Sequence, residues 1–200
     1  MANKPLDTEL LDRAIVFAVR AHAGTERRGK GVPYIVHPME ALEIVATMTS
    51  DQELLAAAVL HDTVEDTDVT TEQIRAEFGN RVATLVAIET DVPLQEADSL
   101  KNWRARKQAA IVRLASAPRD AKIVALGDKL SNMRAIARDY AAQGDKLWSI
   151  FRSADPKDHE WHYRGLVASL SELCDTCAYR EFQQLVDQVF GTAKAPSQQI

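Results

Sequence analysis

Apolar residues return at helical spacing along most of this chain: Leu11, Ala14, Ile15, Ala18 and Val19 share one helical face, as do Ile123, Leu126, Leu130, Met133 and Ala137. Runs that alternate polar and apolar, as a half-buried strand requires, are nearly absent, and Val-Ile-Thr clusters are short. The pattern predicts an all-α chain without a sheet. Breaks divide it into segments. Gly24 to Pro33, dense in glycine and charge, reads as a loop between two helices. Thr70 or Thr71, followed by Glu72 and Gln73, predicts a helix start; Phe78-Gly79-Asn80 predicts its end, with another helix from about Arg81. Asp91 to Ser99, which contains Pro93, reads as a loop before a basic helix from near Ser99 to Ala115. Pro118 and Asp120 restart a helix, and Pro156 to about Phe190 keeps a helical pattern. Residues 191–200 have the composition of a flexible tail.

Composition narrows the class. With 200 residues, 46% hydrophobic and 26% charged, the chain has the profile of one globular domain, here expected over residues 1–190. Charges at Lys4, Asp7, Glu9, Asp12 and Arg13 leave no apolar core for a signal peptide. The longest aliphatic run, Leu54 to Leu60, falls far short of the ~20 residues of a membrane span. A cytoplasmic protein with no membrane segment is expected. A net charge of -5 argues against a nucleic-acid binder. An anionic substrate would have to meet local clusters instead, at Arg27, Arg28 and Lys30 or at Lys101, Arg104, Arg106 and Lys107. Taken alone, either cluster reads equally well as a solvated face.

The densest chemistry is His61-Asp62, directly after the apolar run and followed by Thr63-Val64-Glu65-Asp66. Charged groups beside a core-forming helix need a partner, because burial without one is costly, and a cation is the economical partner. On one continuous helix His61 and Asp62 lie about 100° apart and can bend toward one ion, with Glu65 and Asp66 a turn further on. His37, in Pro33-Tyr34-Ile35-Val36-His37-Pro38, and Asp128, which interrupts an apolar helix, complete a candidate ligand set. Two imidazoles and two carboxylates suit Mn, Fe or Zn better than Ca. Asn132 lies one turn beyond Asp128 on the same face.

The order of these motifs resembles the hydrolase domain of RelA/SpoT-type proteins, HD-domain hydrolases of the alarmone ppGpp. It comprises a basic loop before Pro-Tyr-Ile-x-His-Pro, then Leu-His-Asp-Thr-Val-Glu-Asp-Thr, then Asp-Lys-Leu-x-Asn-Met-Arg. The likeness is greatest to the small stand-alone forms and covers roughly residues 8 to 190, leaving no room for a synthetase domain. It implies a single compact HD-domain helical fold and Mn²⁺ held by His37, His61, Asp62 and Asp128. It implies Glu65 and Asp66 as the catalytic pair, and hydrolysis of the 3′-pyrophosphate of ppGpp or pppGpp to pyrophosphate and GDP or GTP. Arg27 or Arg28 would stack on guanine; Asn132, with Lys129 and Arg134 near it, would meet the nucleoside and phosphates. The chain departs from the family at Ala135, where relatives often carry Thr or Asp. It departs again at Asp91-Val92-Pro93-Leu94, where small relatives show an acidic pair and then Lys; Lys101 or Arg104 is expected to take over that phosphate contact.

Two rival readings stay open: the same fold and metal acting on another phosphorylated nucleotide such as NADPH, or a non-catalytic alarmone-binding regulator. The intact Glu65-Asp66 pair speaks against the second. Outside the motifs, His22 reads as a surface or hydrogen-bonded residue. Trp161, Tyr163 and Arg164 read as packing residues. His159-x-x-His162 and Cys174-x-x-Cys177 suggest a structural zinc only on paper: on one helix, His162 and Cys174 would be about 18 Å apart. The cysteines read as reduced thiols.

Overall fold

The computed structural model describes residues 6–90 and 100–191, and side chains for all of these except 100–102. Among the described residues there are helices and no strand, only an isolated bridge between Glu26 and Pro33. The loop Asp91–Ser99 and the tail beyond Gly191 lie outside them. The described residues fall into two compact units: residues 6–90 with 117–131, and residues 100–116 with 132–191.

The first unit is organised around α3 (Gln52–Leu60), whose residues Leu54 to Leu60 are all buried. A helix apolar on every side must be covered on every side. Helices α1 (Glu9–Ala21), α2 (Val36–Ala46) and α6 (Asn80–Glu89) pack against it. Asp51 starts α3 by accepting from the Glu53 N–H at 2.9 Å. Its other oxygen joins Glu53 and Asp120 around the Arg81 guanidinium, at 2.8, 2.7 and 2.6 Å.

The short α4 (Thr63–Asp66) follows α3, so His61 and Asp62 stand at a junction between helices and not on one continuous helix. Then α5 (Thr71–Phe78) opens with the expected capping box, Thr70 and Gln73 each serving the other's backbone N–H. It turns into α6 through Gly79, at φ +91°.

In the second unit, α7 (Leu100–Ala115) packs against α9 (Pro156–Ser169), and α9 against α10 (Cys177–Phe190). The helical run expected from Pro156 to Phe190 is broken by a 3₁₀ turn at Ser171–Leu173, so the premise of one helix from 158 to 177 fails. The 25-residue α8 (Arg119–Gln143) gives its first half to the first unit and the rest to the second. Its early turns meet α2 closely: a Cβ on Gly127 would lie 2.6 Å from Val45 Cγ2 and 2.8 Å from the Ala41 carbonyl oxygen. Glycine is required there, and it brings its neighbour Asp128 up to α2.

Candidate metal centre

Three places in the first unit deliver the cluster. His37 lies at the start of α2, just after the loop held by Arg27 N–H to Val32 O and Tyr34 N–H to Thr25 O. His61 and Asp62 occupy the α3–α4 junction, and Asp128 comes from α8. His37, His61 and Asp128 are 2, 2 and 6% exposed, and their ligand atoms lie within 4.8 Å of one another. His37 Nε2 is 3.1 Å from Asp128 Oδ1 and 3.4 Å from Asp62 Oδ2; His61 Nε2 is 2.9 Å from Asp62 Oδ2 and 3.6 Å from Asp128 Oδ1. Asp62 is thus in contact with both imidazoles, beside the three residues whose ligand atoms all lie within 4.8 Å of one another.

Hydrogen bonding decides which ring nitrogens face the centre. His61 Nδ1 is 2.8 Å from the Ala58 carbonyl oxygen, which can only accept, so Nδ1 carries a proton. His37 Nδ1 is 2.8 Å from Ser131 Oγ. Both Nε2 atoms therefore point at carboxylates. His61 Nε2 is buried and makes no hydrogen bond despite its 2.9 Å contact with Asp62 Oδ2. A buried nitrogen without a partner, aimed among carboxylate oxygens, fits a divalent cation.

The electrostatics point the same way. Burial would lower the His61 imidazole, yet the Asp62 and Asp128 carboxylates raise it well above its ordinary value: they demand a cation on that nitrogen, proton or metal. Burial would raise Asp62 and Asp128, yet both are held well below the usual carboxylate range, Asp62 by His61 and His37 and Asp128 chiefly by Lys129. Tyr34 donates its hydroxyl to Asp62 Oδ2 at 2.7 Å; burial, Asp62 and the nearby Asp66 push its phenol far up.

Other residues singled out by the sequence are placed as follows. Glu65 and Asp66 are exposed on α4. In the first unit's loop, Arg28 is exposed and Arg27 half-buried. Lys129, expected on substrate, has its ammonium on Asp128 Oδ2 and on Glu89, 3.3 Å away. Asn132 and Arg104 belong to the second unit, where Arg104 pairs with Asp158 at 2.8 Å and lies over the Trp161 ring. Arg134 grips Glu181 with two nitrogens, at 2.7 and 2.8 Å. The side chain of Lys101 lies outside the described residues.

His22 is not a surface residue: it is 3% exposed, its ring sits 4.9 Å from that of Tyr34, and neither ring nitrogen has a hydrogen-bond partner. Sequence reasoning gave no role to Tyr34, Glu40, Glu89, Gly127 or Ser131. Their signal was adjacency to the motifs, since Tyr34, Gly127 and Ser131 sit inside or beside the quoted strings.

A profile of the HD domain family matches residues 14–156. Among curated relatives, a guanosine-3′,5′-bis(diphosphate) 3′-pyrophosphohydrolase of Aquifex aeolicus is 37% identical over 138 residues, 68% of this chain and 19% of that protein. Its namesake in Vibrio cholerae is 33% identical over 196 residues, 93% of this chain and 26% of the relative. The chain therefore spans between 19 and 26% of the length of these relatives.

Among solved structures, a metazoan ortholog of SpoT described as hydrolysing ppGpp superposes with a TM-score of 0.74, at 22% identity, over 94% of this chain and 100% of that one. At that identity the likeness speaks for the fold alone. A Listeria monocytogenes EGD-e protein superposes with a TM-score of 0.66, at 29% identity, over 81% of this chain and 98% of that one.

Proposed function

The chain belongs to the HD-domain family, and on that premise we propose that it is a metal-dependent phosphohydrolase that removes the 3′-pyrophosphate of ppGpp or pppGpp. The observation that carries the reading is the buried meeting of His37, His61 and Asp128 within 4.8 Å, with Asp62 against both imidazoles. The names of the curated relatives supply the substrate. We read it as a cytoplasmic enzyme; no helix among the described residues is long and apolar enough to cross a membrane.

His37, His61, Asp62 and Asp128 would hold the ion, taken here to be Mn²⁺, which suits a mixed nitrogen and oxygen set. When bound, the ion supplies Lewis acidity toward water and a phosphate oxygen. Glu65 and Asp66 orient the attacking water and accept its proton. The water oxygen ends on the departing pyrophosphate, and the 3′ oxygen leaves as the hydroxyl of GDP or GTP. Tyr34, bonded to Asp62 and close to Asp66, holds those two carboxylates in a fixed relation. Arg27 or Arg28 stacks on guanine, where a planar guanidinium outperforms an ammonium. The family resemblance assigns Asn132 to the nucleoside and Lys101 or Arg104 to a phosphate. Lys129 is assigned to holding Asp128 in place, its charge already taken by Asp128 and Glu89.

The test is incubation of the purified chain with ppGpp, pppGpp or NADPH, each with Mn²⁺ or Mg²⁺, following release of pyrophosphate or phosphate. Release of pyrophosphate and GDP from ppGpp, fastest with Mn²⁺, is expected. Phosphate release from NADPH with ppGpp untouched would overturn the substrate, and tight ppGpp binding without turnover would make the chain a sensor.

A further inference from the structure

The two imidazoles of the cluster are backed differently. His61 leans on the Ala58 carbonyl, a backbone group fixed by α3. His37 leans on a side chain: Ser131 Oγ is 2.8 Å from its Nδ1, and the same oxygen is 2.7 Å from Glu40 Oε2. The direction of each proton follows from what these groups can do. A carboxylate oxygen only accepts, so the single hydroxyl proton of Ser131 goes to Glu40. The contact with His37 then requires the proton to sit on Nδ1, which leaves Nε2 as the lone-pair nitrogen facing Asp62 and Asp128. Ser131 is fully buried, while Glu40 is half-buried. Glu40 follows His37 by one turn on α2, and Ser131 follows Asp128 by one turn on α8, so two helices deliver one cluster residue each and, a turn later, the pair that orients His37.

We propose that Ser131 and Glu40 form a hydroxyl-bridged relay that fixes the ring orientation and tautomer of His37, and thereby sets the metal affinity of the centre. Both are positioning residues, and the inference rests on the reading that this cluster holds a divalent cation. His37 is then the adjustable member of the set: one side-chain change alters its backing, whereas that of His61 is built into a helix. Without the Ser131 hydroxyl, His37 Nδ1–H loses its acceptor and the ring is no longer held with Nε2 toward the carboxylates.

The test is calorimetric titration of the metal-stripped chain with Mn²⁺, in wild type, Ser131→Ala, Glu40→Gln and the double variant, with the melting temperature of each ion-free form. Ser131→Ala is expected to weaken Mn²⁺ binding about 10- to 100-fold, the range typical of partners behind a metal-bound histidine. Glu40→Gln is expected to weaken it by less, since an amide oxygen still accepts the hydroxyl proton. The double variant should lose little more than Ser131→Ala, because both changes break one relay. Equal affinity in wild type and Ser131→Ala, or a double variant that loses the full product of the single effects, overturns the relay and leaves the metal site standing. Failure of the wild type to bind Mn²⁺ overturns the metal reading and the relay with it. If Ser131→Ala does not fold, Glu40→Gln decides: unchanged affinity overturns the relay.

Discussion

Besides His22, each unit of this protein buries a pair of histidines to a similar depth. His37 and His61 in the first are each 2% exposed, and His159 and His162 in the second are 5 and 9% exposed. Their surroundings are opposite. The first pair faces Asp62 and Asp128 at 2.9 to 3.6 Å. In the second, His159 stacks on Trp148 at 5.0 Å with Phe151 at 4.9 Å, and its Nε2 bonds to the Ser153 carbonyl at 2.8 Å; His162 lies among Trp103, Trp161 and Tyr163. One environment raises an imidazole and the other lowers it: His61 is pulled up by carboxylates, while burial holds His159 below its ordinary value. Depth alone therefore does not make a metal site. What sets the first pair apart is the carboxylates it meets, Asp62 beside His61 in sequence and Asp128 from α8.

The contrast breaks most visibly if the histidines are exchanged for small residues. His61→Ala should abolish measurable Mn²⁺ binding and lower turnover by at least about a thousandfold, since removing one ligand also leaves Asp62 and the buried Asp128 with His37 as their remaining imidazole. His159→Ala should leave Mn²⁺ affinity within about twofold and show its cost, about 2–4 kcal/mol, in denaturant unfolding, as for other large-to-small core changes. Loss of Mn²⁺ binding in the second variant would erase the distinction. Next in size, Glu65→Gln should lower kcat by about 10²- to 10⁴-fold, the usual worth of a general base, with Mn²⁺ affinity kept. An equal loss of affinity would move Glu65 into the ligand set.

Gly127→Ala comes third. Its methyl meets Val45 and the Ala41 carbonyl, so α8 must shift from α2 and carry Asp128 away from His37. A destabilisation of about 1–3 kcal/mol is expected from overpacking, together with weakened Mn²⁺ binding. Lost stability with unchanged affinity would show that the centre tolerates the shift.

The smallest effect concerns pH. Because burial lowers His159 in the folded state, the unfolded chain takes up its proton first as pH falls below about 6.5, and stability is lost over that descent. The slope should reach at most about 1.4 kcal/mol per pH unit from this group, and His159→Phe should flatten it. A slope between pH 7 and 5 that is the same in wild type and His159→Phe would remove His159 as its source.

The sequence by itself determined the helices, and it did so because helical periodicity, caps and breakers are local. Thr70 and Gln73 form the capping box they spell, and α5, α6 and α7 begin and end within a residue or two of their signals. It also determined which residues to bring together, since motif strings carry chemistry at fixed spacing: His37, His61, Asp62 and Asp128 were legible because polar groups interrupt apolar runs.

Tertiary structure decided what those residues face. Helical spacing cannot foretell that Gly127 lets α8 come up against Ala41, or that Ser131 bridges His37 to Glu40, because each depends on a partner far along the chain. Lys129 is a similar case: its motif neighbours suggest a phosphate contact, while the fold also brings Glu89, 40 positions away, to 3.3 Å from its ammonium. Likewise His22 reads as a surface or hydrogen-bonded residue from its helix face alone, whereas the fold buries it beside Tyr34. Local order is written in neighbouring residues, but charge balance and burial are set by whatever the fold brings alongside.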